Sequence, residues 1–491
     1  MDELIAKAHA PRSFTGHWKI QQEAFHQDFL GELVYDPIKG YHKLTLYGVC
    51  IIPETNTPRF AAITGIVTTG EKVSVYDSIV VGASSGKDEE LSQKTVFSFL
   101  FFCIGDESFN SKEAIRLKKY SFRCSNLEAW FQYRPFRHRF SSKSKRKRNL
   151  GTLDIPRLLL LFEDDVVRIK LATTFNQNMT PTSLNVSYFH ELTISAKNNR
   201  KLPYIGEEKS FSYYAKVIYD FFCLVIGKHA FSFNRIGATK KKRIILPENI
   251  QPSALTKNLH SFQHISFYNA CQRDERWLES ISSQQMLAGH NVLRGDVLTF
   301  AIKKFFEKYP KFSFVLDDWI RMKNQSSYTN YSLPELLYNF EGLHRSLYPE
   351  CSTSSGYKAA INAIHAVSPF KEYEHMINNK NHELSFRQRL QDAFLVKTSL
   401  IFQFLSIPQR QSIIDDLVEI RNNAAHRGQS SLQAYSKVIA YIFLCEELIA
   451  VMILHCIGLQ MEQIREMLVN GWEWLNLKTL LLKELPGAES C

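Results

Sequence analysis

Near residue 250 the hydrophobic period of this chain changes from two to between three and four, and no other feature restricts its fold as much. Before that point, short runs rich in Val, Ile, Thr, Phe and Tyr alternate with turn residues. Tyr41–Ile52, Ala61–Val67, Lys72–Val81, Val96–Ile104, Leu158–Phe162 and Val166–Ala172 all read as strands. HKLTLYGV and EKVSVYDSIV alternate apolar and polar residues, as half-buried antiparallel strands do. One helix interrupts them over Phe211–Gly227. After Pro252, apolar residues recur every third and fourth position in Asp296–Lys308, Leu333–Leu347, Leu384–Leu405 and Ile413–His426. Pro334 stands just inside one helix start and Pro408 just before another. The pattern predicts an α+β multidomain protein. A β-rich antiparallel domain (1–252) precedes an all-α helical bundle (253–491), whose core spans about 330–470.

Composition narrows the class. With 491 residues, 45% of them apolar, the chain can bury sizeable cores, which excludes disorder as its general state. Its 60 Lys+Arg against 49 Asp+Glu favour a polyanionic partner. The nine cysteines are scattered without any C-x-x-C, so a reducing compartment is expected and a zinc ribbon is not. The opening MDELIAKAHAPRSF has no apolar run and does not read as a signal peptide. Val438–Leu459 is long enough to span a bilayer, but Glu446 and Glu447 at its middle would each cost about 2.5–3.5 kcal/mol in lipid. A buried core helix is the expectation, with no membrane partner.

Several catalytic signatures fail on inspection. Gly65–Gly70 (GIVTTG) imitates a phosphate-binding loop, but Glu71 follows where a Lys is required, so the segment reads as a hairpin turn. No G-x-S-x-G or H-E-x-x-H occurs. His260 and His264 could share a helical face, yet no third ligand accompanies them. No cofactor is indicated. Two basic clusters remain as candidate phosphate-binding loops. One lies in Arg137–Arg148 and includes Lys143, Lys145, Arg146, Lys147 and Arg148; the other is Lys240, Lys241, Lys242 and Arg243.

One segment carries chemistry. On a helix, Ile413, Leu417, Ile420 and Ala424 of IIDDLVEIRNNAAHRG form an apolar stripe. Asn422 and His426, one turn apart, point away from it beside Glu419 and Asp415, with Arg421 on the flank and Gly428 as a stop. A solvated polar face would have the same pattern. The string Arg421-Asn422-Asn423-Ala424-Ala425-His426 resembles, however, the R-N-x-x-x-H signature of HEPN ribonucleases. With the upstream helix LPELLYNFEGLHRSLYP it resembles the Apea-like HEPN family. FLGELVYDPIKGYHKLTLYGV, ITGIVTTGEKVSVYDS and SNLEAWF are similar to the β-rich N-terminal domain of that family's abortive-infection proteins.

The resemblance implies a prokaryotic, cytoplasmic, metal-independent endoribonuclease of anti-phage defence. It would cut RNA, with tRNA the leading substrate, by 2′-OH attack to leave 2′,3′-cyclic phosphate and 5′-OH ends. It also implies a homodimer or higher homo-oligomer that joins two motifs, a phage-encoded trigger protein, and a sensing role for the first domain. Arg421, Asn422 and His426 would be catalytic, with Glu341, His344 and Glu419 as supports, although FEGLHRSL equally reads as a helix with a surface His. The rival readings are a non-catalytic HEPN-like dimerisation or RNA-binding adaptor and, on charge alone, a basic DNA-binding regulator.

Overall fold

A computed structural model describes residues 10–21, 27–36, 41–52, 59–85, 93–131, 158–179, 184–198, 200–206, 209–227, 232–243, 260–269, 286, 293–325, 327–329, 331–349, 384–427, 435–469 and 471–485. Two compact units result, one of residues 1–219 with 229–280 and the other of 220–228 with 281–491.

The first unit is antiparallel. Its strands are β1 (Arg12–Ile20), β2 (Phe29–Asp36), β3 (Tyr41–Tyr47), β4 (Arg59–Val67), β5 (Lys72–Ser84), β6 (Lys94–Ser98), β7 (Phe101–Gly105), β8 (Arg116–Leu117), β9 (Lys119–Cys124), β10 (Leu158–Glu163), β11 (Val167–Met179), β12 (Leu184–Ala196), β13 (Leu202–Pro203), β14 (Ser232–Arg243) and β15 (His260–Asn269). Pairing in the order β1-β2-β3-β6-β5-β4 and back to β1 closes a six-stranded barrel. Trp18, Leu33, Leu44, Val75 and Phe97 fill it. The Trp18 ring lies so close to Gly31 and Gly65 that a Cβ at Gly65 would come within 2.6 Å of it, so the indole fixes glycine there.

β5 is long enough to serve two partners. Its second half pairs with β6, and its first half pairs with β7, which opens a further run β7-β15-β14-β9-β12-β11-β10. The single strand expected over Val96–Ile104 is therefore broken into β6 and β7, with Leu100 exposed between them. The GIVTTG segment is the β4–β5 hairpin expected: Gly70 has φ +84° and donates its N–H to Val67 at 2.8 Å. β15 lies beyond Pro252, so the β-rich unit continues past that residue. HSFQHISFYN alternates as a strand does, and it pairs with β14 and β7. His260 and His264 thus sit four apart on a strand, roughly 13 Å along it, instead of one helical turn apart.

Helix α1 (Leu127–Phe131) packs near β12, and α2 (Phe211–Ile226) contributes residues to both units. The second unit is helical: α3 (Gly295–Lys308), α4 (Ser313–Lys323), α5 (Ser332–Leu347), α6 (Phe386–Gln391), α7 (Ile407–Arg427), α8 (Tyr435–Cys456), α9 (Met461–Val469) and α10 (Trp472–Glu484). The expected helix over Leu384–Leu405 is interrupted. α6 starts on a Ser385–Gln388 capping box and runs into a π-helical turn, Asp392–Lys397. There the N–H and hydroxyl of Thr398 both bond the Ala393 carbonyl, at 2.8 and 2.9 Å, which ends the coil.

α8 is the apolar helix of the sequence, long and apolar enough to cross a membrane, and 78% of its most apolar window is buried within the protein. Its two acids are explained by a neighbour the sequence did not reveal. The buried Lys323 ammonium lies 3.0 Å from Glu446, 3.3 Å from Glu447 and 2.8 Å from Glu473. Tyr328 donates its hydroxyl to Glu446 at 3.2 Å.

Candidate active site

α7 begins earlier than the apolar spacing suggests. Ser406 and Gln409 form a reciprocal cap: the Ser406 N–H donates to Gln409 Oε1 at 2.9 Å, and the Gln409 N–H donates to Ser406 Oγ at 3.3 Å. Pro408 therefore stands inside the first turn, where its missing N–H costs nothing, and not before the helix. Ile413, Ile414, Leu417 and Ile420 are buried, while Asp415, Glu419 and Asn422 are exposed. The apolar stripe thus fixes the outward face of the motif. His426 lies on the helix's last turn, one turn past Asn422.

Arg421 occupies the border between these faces. Its Nη2 donates to Glu341 Oε2 at 3.1 Å, and its guanidinium carbon lies 5.6 Å from the ring centroids of both Tyr338 and Phe386. The other Glu341 oxygen accepts from Arg345 at 3.4 Å. Arg421 Nε is buried and finds no acceptor among the described residues. With its side chain 24% exposed, the guanidinium is fixed on two sides and still open to solvent. Such a preset fork suits a phosphate.

Nearby acids are committed elsewhere. Arg387 pairs with Asp415 and holds its carboxyl below the usual range, with Gln411 adding a bond at 3.2 Å. Asp416 takes Lys437 at 2.8 Å and the Tyr441 hydroxyl.

Of the supports expected from sequence, Glu341 touches Arg421 and Glu419 is exposed on the motif helix. His344 is neither a surface residue nor part of the motif face. It is fully buried, because its position on α5 turns inward with Phe340 and Leu347. Its Nε2 is 2.8 Å from Asp392 Oδ2, and its Nδ1 faces Arg389 at 3.5 Å. Burial pushes its pKa down and Asp392 only partly opposes this, so the ring is neutral, with Nε2–H donating to Asp392. Sequence reasoning missed Tyr338, Arg345 and Phe386. The first two share the i, i+3, i+7 spacing with Glu341 and were findable; Phe386 comes from a separate helix.

The basic stretch 143–148 lies outside the described residues, and Lys240 to Arg243 form the end of β14. Among the described residues no group of three or more His, Cys, Asp or Glu could hold a metal ion.

Two family models match the chain: ApeA N-terminal domain 1 over residues 13–277, and Apea-like HEPN over residues 336–463. The chain belongs to the ApeA-type HEPN proteins. The first match covers the β-rich unit, including β15, and the second spans α5 to α8, both arms of the Arg421 site among them. Searches of curated proteins and of solved structures found no match. HEPN domains are usually ribonucleases that commonly dimerise and bind RNA, and ApeA-like HEPN domains point to a nuclease of defence.

Proposed function

We propose that this protein is a metal-independent endoribonuclease of anti-phage abortive infection. The observation that supports this best is the Arg421 guanidinium, braced by Glu341, Tyr338 and Phe386 yet open to solvent, on the helix that carries Asn422 and His426. RNA brings its own nucleophile, the ribose 2′-OH. His426 moves the proton at that step, a role typically worth about 10²–10⁴-fold. Arg421 holds the charge that builds on the phosphorane-like transition state, and Asn422 orients His426 or the phosphate. The products are a 2′,3′-cyclic phosphate and a 5′-OH.

One His does not serve both the attacking and the leaving oxygen, so a second copy of the chain supplies the other motif in a homodimer or larger homo-oligomer. The helical unit, residues 281–491 with 220–228, is the nuclease. The β-rich part, with residues 1–252 at its heart, senses infection, and a phage-encoded protein is the trigger. Structured RNA such as tRNA is the substrate, because exposed loops let bases splay out. Lys143, Lys145, Arg146, Lys147, Arg148 and Lys240 to Arg243 add phosphate contacts. The cytoplasm is the site of action.

A non-catalytic adaptor is the second reading, favoured by the pairing of Arg421 with Glu341 in its own chain. The deciding experiment incubates triggered protein with total RNA in excess chelator and maps the fragment ends. Cleavage with 5′-OH ends, lost in His426→Ala, is the expected result. Dependence on magnesium, 5′-phosphate ends or cleavage by the His426→Ala protein would overturn it.

A further inference from the structure

His344 and its partners take no part in the chemistry proposed above, and they lie one helical turn from it. On α5, Glu341, which braces Arg421, precedes His344 by three positions. On α6, Phe386, whose ring lies over Arg421, precedes Arg389 by three, and Arg389 Nη1 is 3.5 Å from His344 Nδ1. Each step is a rise of about 4.5 Å along its helix. The two helices are thus joined at two levels, outside through Arg421 and inside through His344. The Phe340 ring links the levels: its centroid is 6.2 Å from that of His344 and 6.2 Å from that of Phe386.

We propose that His344 and Asp392 are positioning residues for Arg421, their hydrogen bond holding α6 against α5 so that Phe386 stays seated on the guanidinium. The proposal rests on the ribonuclease reading and adds to it an internal lock that is sensitive to acid. Three observations carry it. A fully buried imidazole among Phe340, Leu343 and Leu347 costs desolvation that an apolar residue of like size would avoid, so packing alone does not call for it. Its partner Asp392 opens a π-helical turn, Asp392–Lys397, and such turns occur often at functional sites. The charged groups that face His344 complete the case. They are Asp392, with Lys397 3.9 Å from the same carboxylate oxygen, and Arg389, which has further contacts of its own. A neutral ring satisfies them, with Nε2–H donating to Asp392 at 2.8 Å. A second proton would set an N–H at Nδ1 against the Arg389 guanidinium. Burial pushes the His344 pKa below its usual value, Asp392 opposes this, and Arg389 and Lys397 add to the fall. The lock is therefore closed at neutral pH and opens in acid.

The test measures kcat and KM of the triggered full chain on an RNA with a mapped cut, between pH 5 and 8. His344→Leu fills the space without a hydrogen bond. His344→Gln keeps an N–H for Asp392 and does not titrate. At pH 7.5 His344→Leu should lower kcat about tenfold or more, with KM within about twofold, because Arg421 acts on the transition state. His344→Gln should recover kcat to within about threefold of the parent. The ratio of kcat in the parent to kcat in His344→Gln should be constant above pH 6.5 and fall below it, since only the parent takes up a proton there. His426 and the RNA titrate alike in both proteins and cancel in the ratio. In Asp392→Asn, which keeps an acceptor but loses the charge that raises the His344 pKa, the fall should begin at a lower pH.

Parental kcat in His344→Leu would overturn the proposal. So would a ratio that stays flat from pH 8 to 5, which would leave His344 a packing residue. If His344→Leu fails to fold, the ratio to His344→Gln decides alone. In all these cases His426-dependent cleavage by the parent still stands. If the parent cuts no RNA, the ribonuclease reading falls, and amide hydrogen exchange then tests the lock by itself. The amides of α6 should exchange faster in His344→Leu than in the parent, relative to those of α4 in the same chain. Equal exchange would show that His344 does not hold α6.

Discussion

Lys323 and Arg421 are both cations held by glutamates of neighbouring helices in the same helical unit, and they are held in opposite ways. Lys323 is buried, and three carboxylates close around it. Arg421 has one carboxylate, two aromatic rings and an edge open to solvent. A cation enclosed by acids has no coordination left for a ligand, so its role is confined to the fold. A cation braced on part of its perimeter keeps donors in a fixed direction, which is what anion recognition needs. The comparison teaches that the amount of charge around a basic residue matters less than whether any of its donors still face outward.

The largest effect should come from breaking the enclosed cluster. Lys323→Met leaves Glu446, Glu447 and Glu473 without their cation, and breaking a buried pair in this way costs about 3–5 kcal/mol. The melting temperature of the helical signal should fall by roughly 6–20 °C. A shift below about 3 °C would show that the carboxylates are neutral without Lys323.

Arg421→Lys should do the reverse. The ammonium cannot reproduce the planar fork, so RNA cleavage should fall at least about 100-fold while the melting temperature stays within a few degrees. Cleavage at the parental rate would remove Arg421 from the chemistry. Glu341→Gln tests the brace. The amide oxygen still accepts from Arg421 but carries no charge, and kcat should fall about tenfold, equal to about 1.4 kcal/mol, with KM little changed. A faster variant would mean that Glu341 competes with the phosphate.

The contrast also explains what could be read from the sequence. Period-two alternation gave the strands, and helical spacing gave the stripe Ile413–Leu417–Ile420 that turns Asn422 outward, because burial and period are coupled. The join was less legible: β15 alternates as clearly as the earlier strands but stands after a proline that looked like a boundary. Long-range partners were not legible. Glu446 and Glu447 read as oddities in an apolar helix, since Lys323 and Glu473 reach them from helices distant in sequence. His344 shares a helix with Glu341, and a difference of three positions sends one to Arg421 and the other to Asp392 inside. The break after α6 depends on one threonine bonding a carbonyl five residues back, and no periodicity announces that.

The smallest effect probes the enclosed cluster from the other side. Burial pushes the Glu447 carboxyl up to about 7, with the Lys323 charge opposing and Glu473 and Glu446 adding to the rise. Its unfolded value is about 4.5, so between these values the folded chain holds a proton that the unfolded chain has released. The stability tied to that proton is fully present below about pH 4.5 and is lost as the pH rises through about 7. Glu447→Gln carries no charge at any pH and escapes the loss, while Lys323 keeps Glu446 at 3.0 Å and Glu473 at 2.8 Å. The loss of the weaker 3.3 Å contact to Lys323 offsets part of the gain, which leaves a net of about 1 kcal/mol, or roughly 2–4 °C. At pH 8 the variant should therefore melt slightly above the parent, and the gap should close and then reverse as the pH falls through about 6. His344 has the opposite sign, because its lowered pKa makes its contribution present above about 6.5 and lost as the pH falls, but it is common to both proteins and cancels in the difference. A Gln variant that melts below the parent at pH 8 would show that Lys323 needs all three anions. The contrast with the sparingly braced Arg421 would then be sharper still.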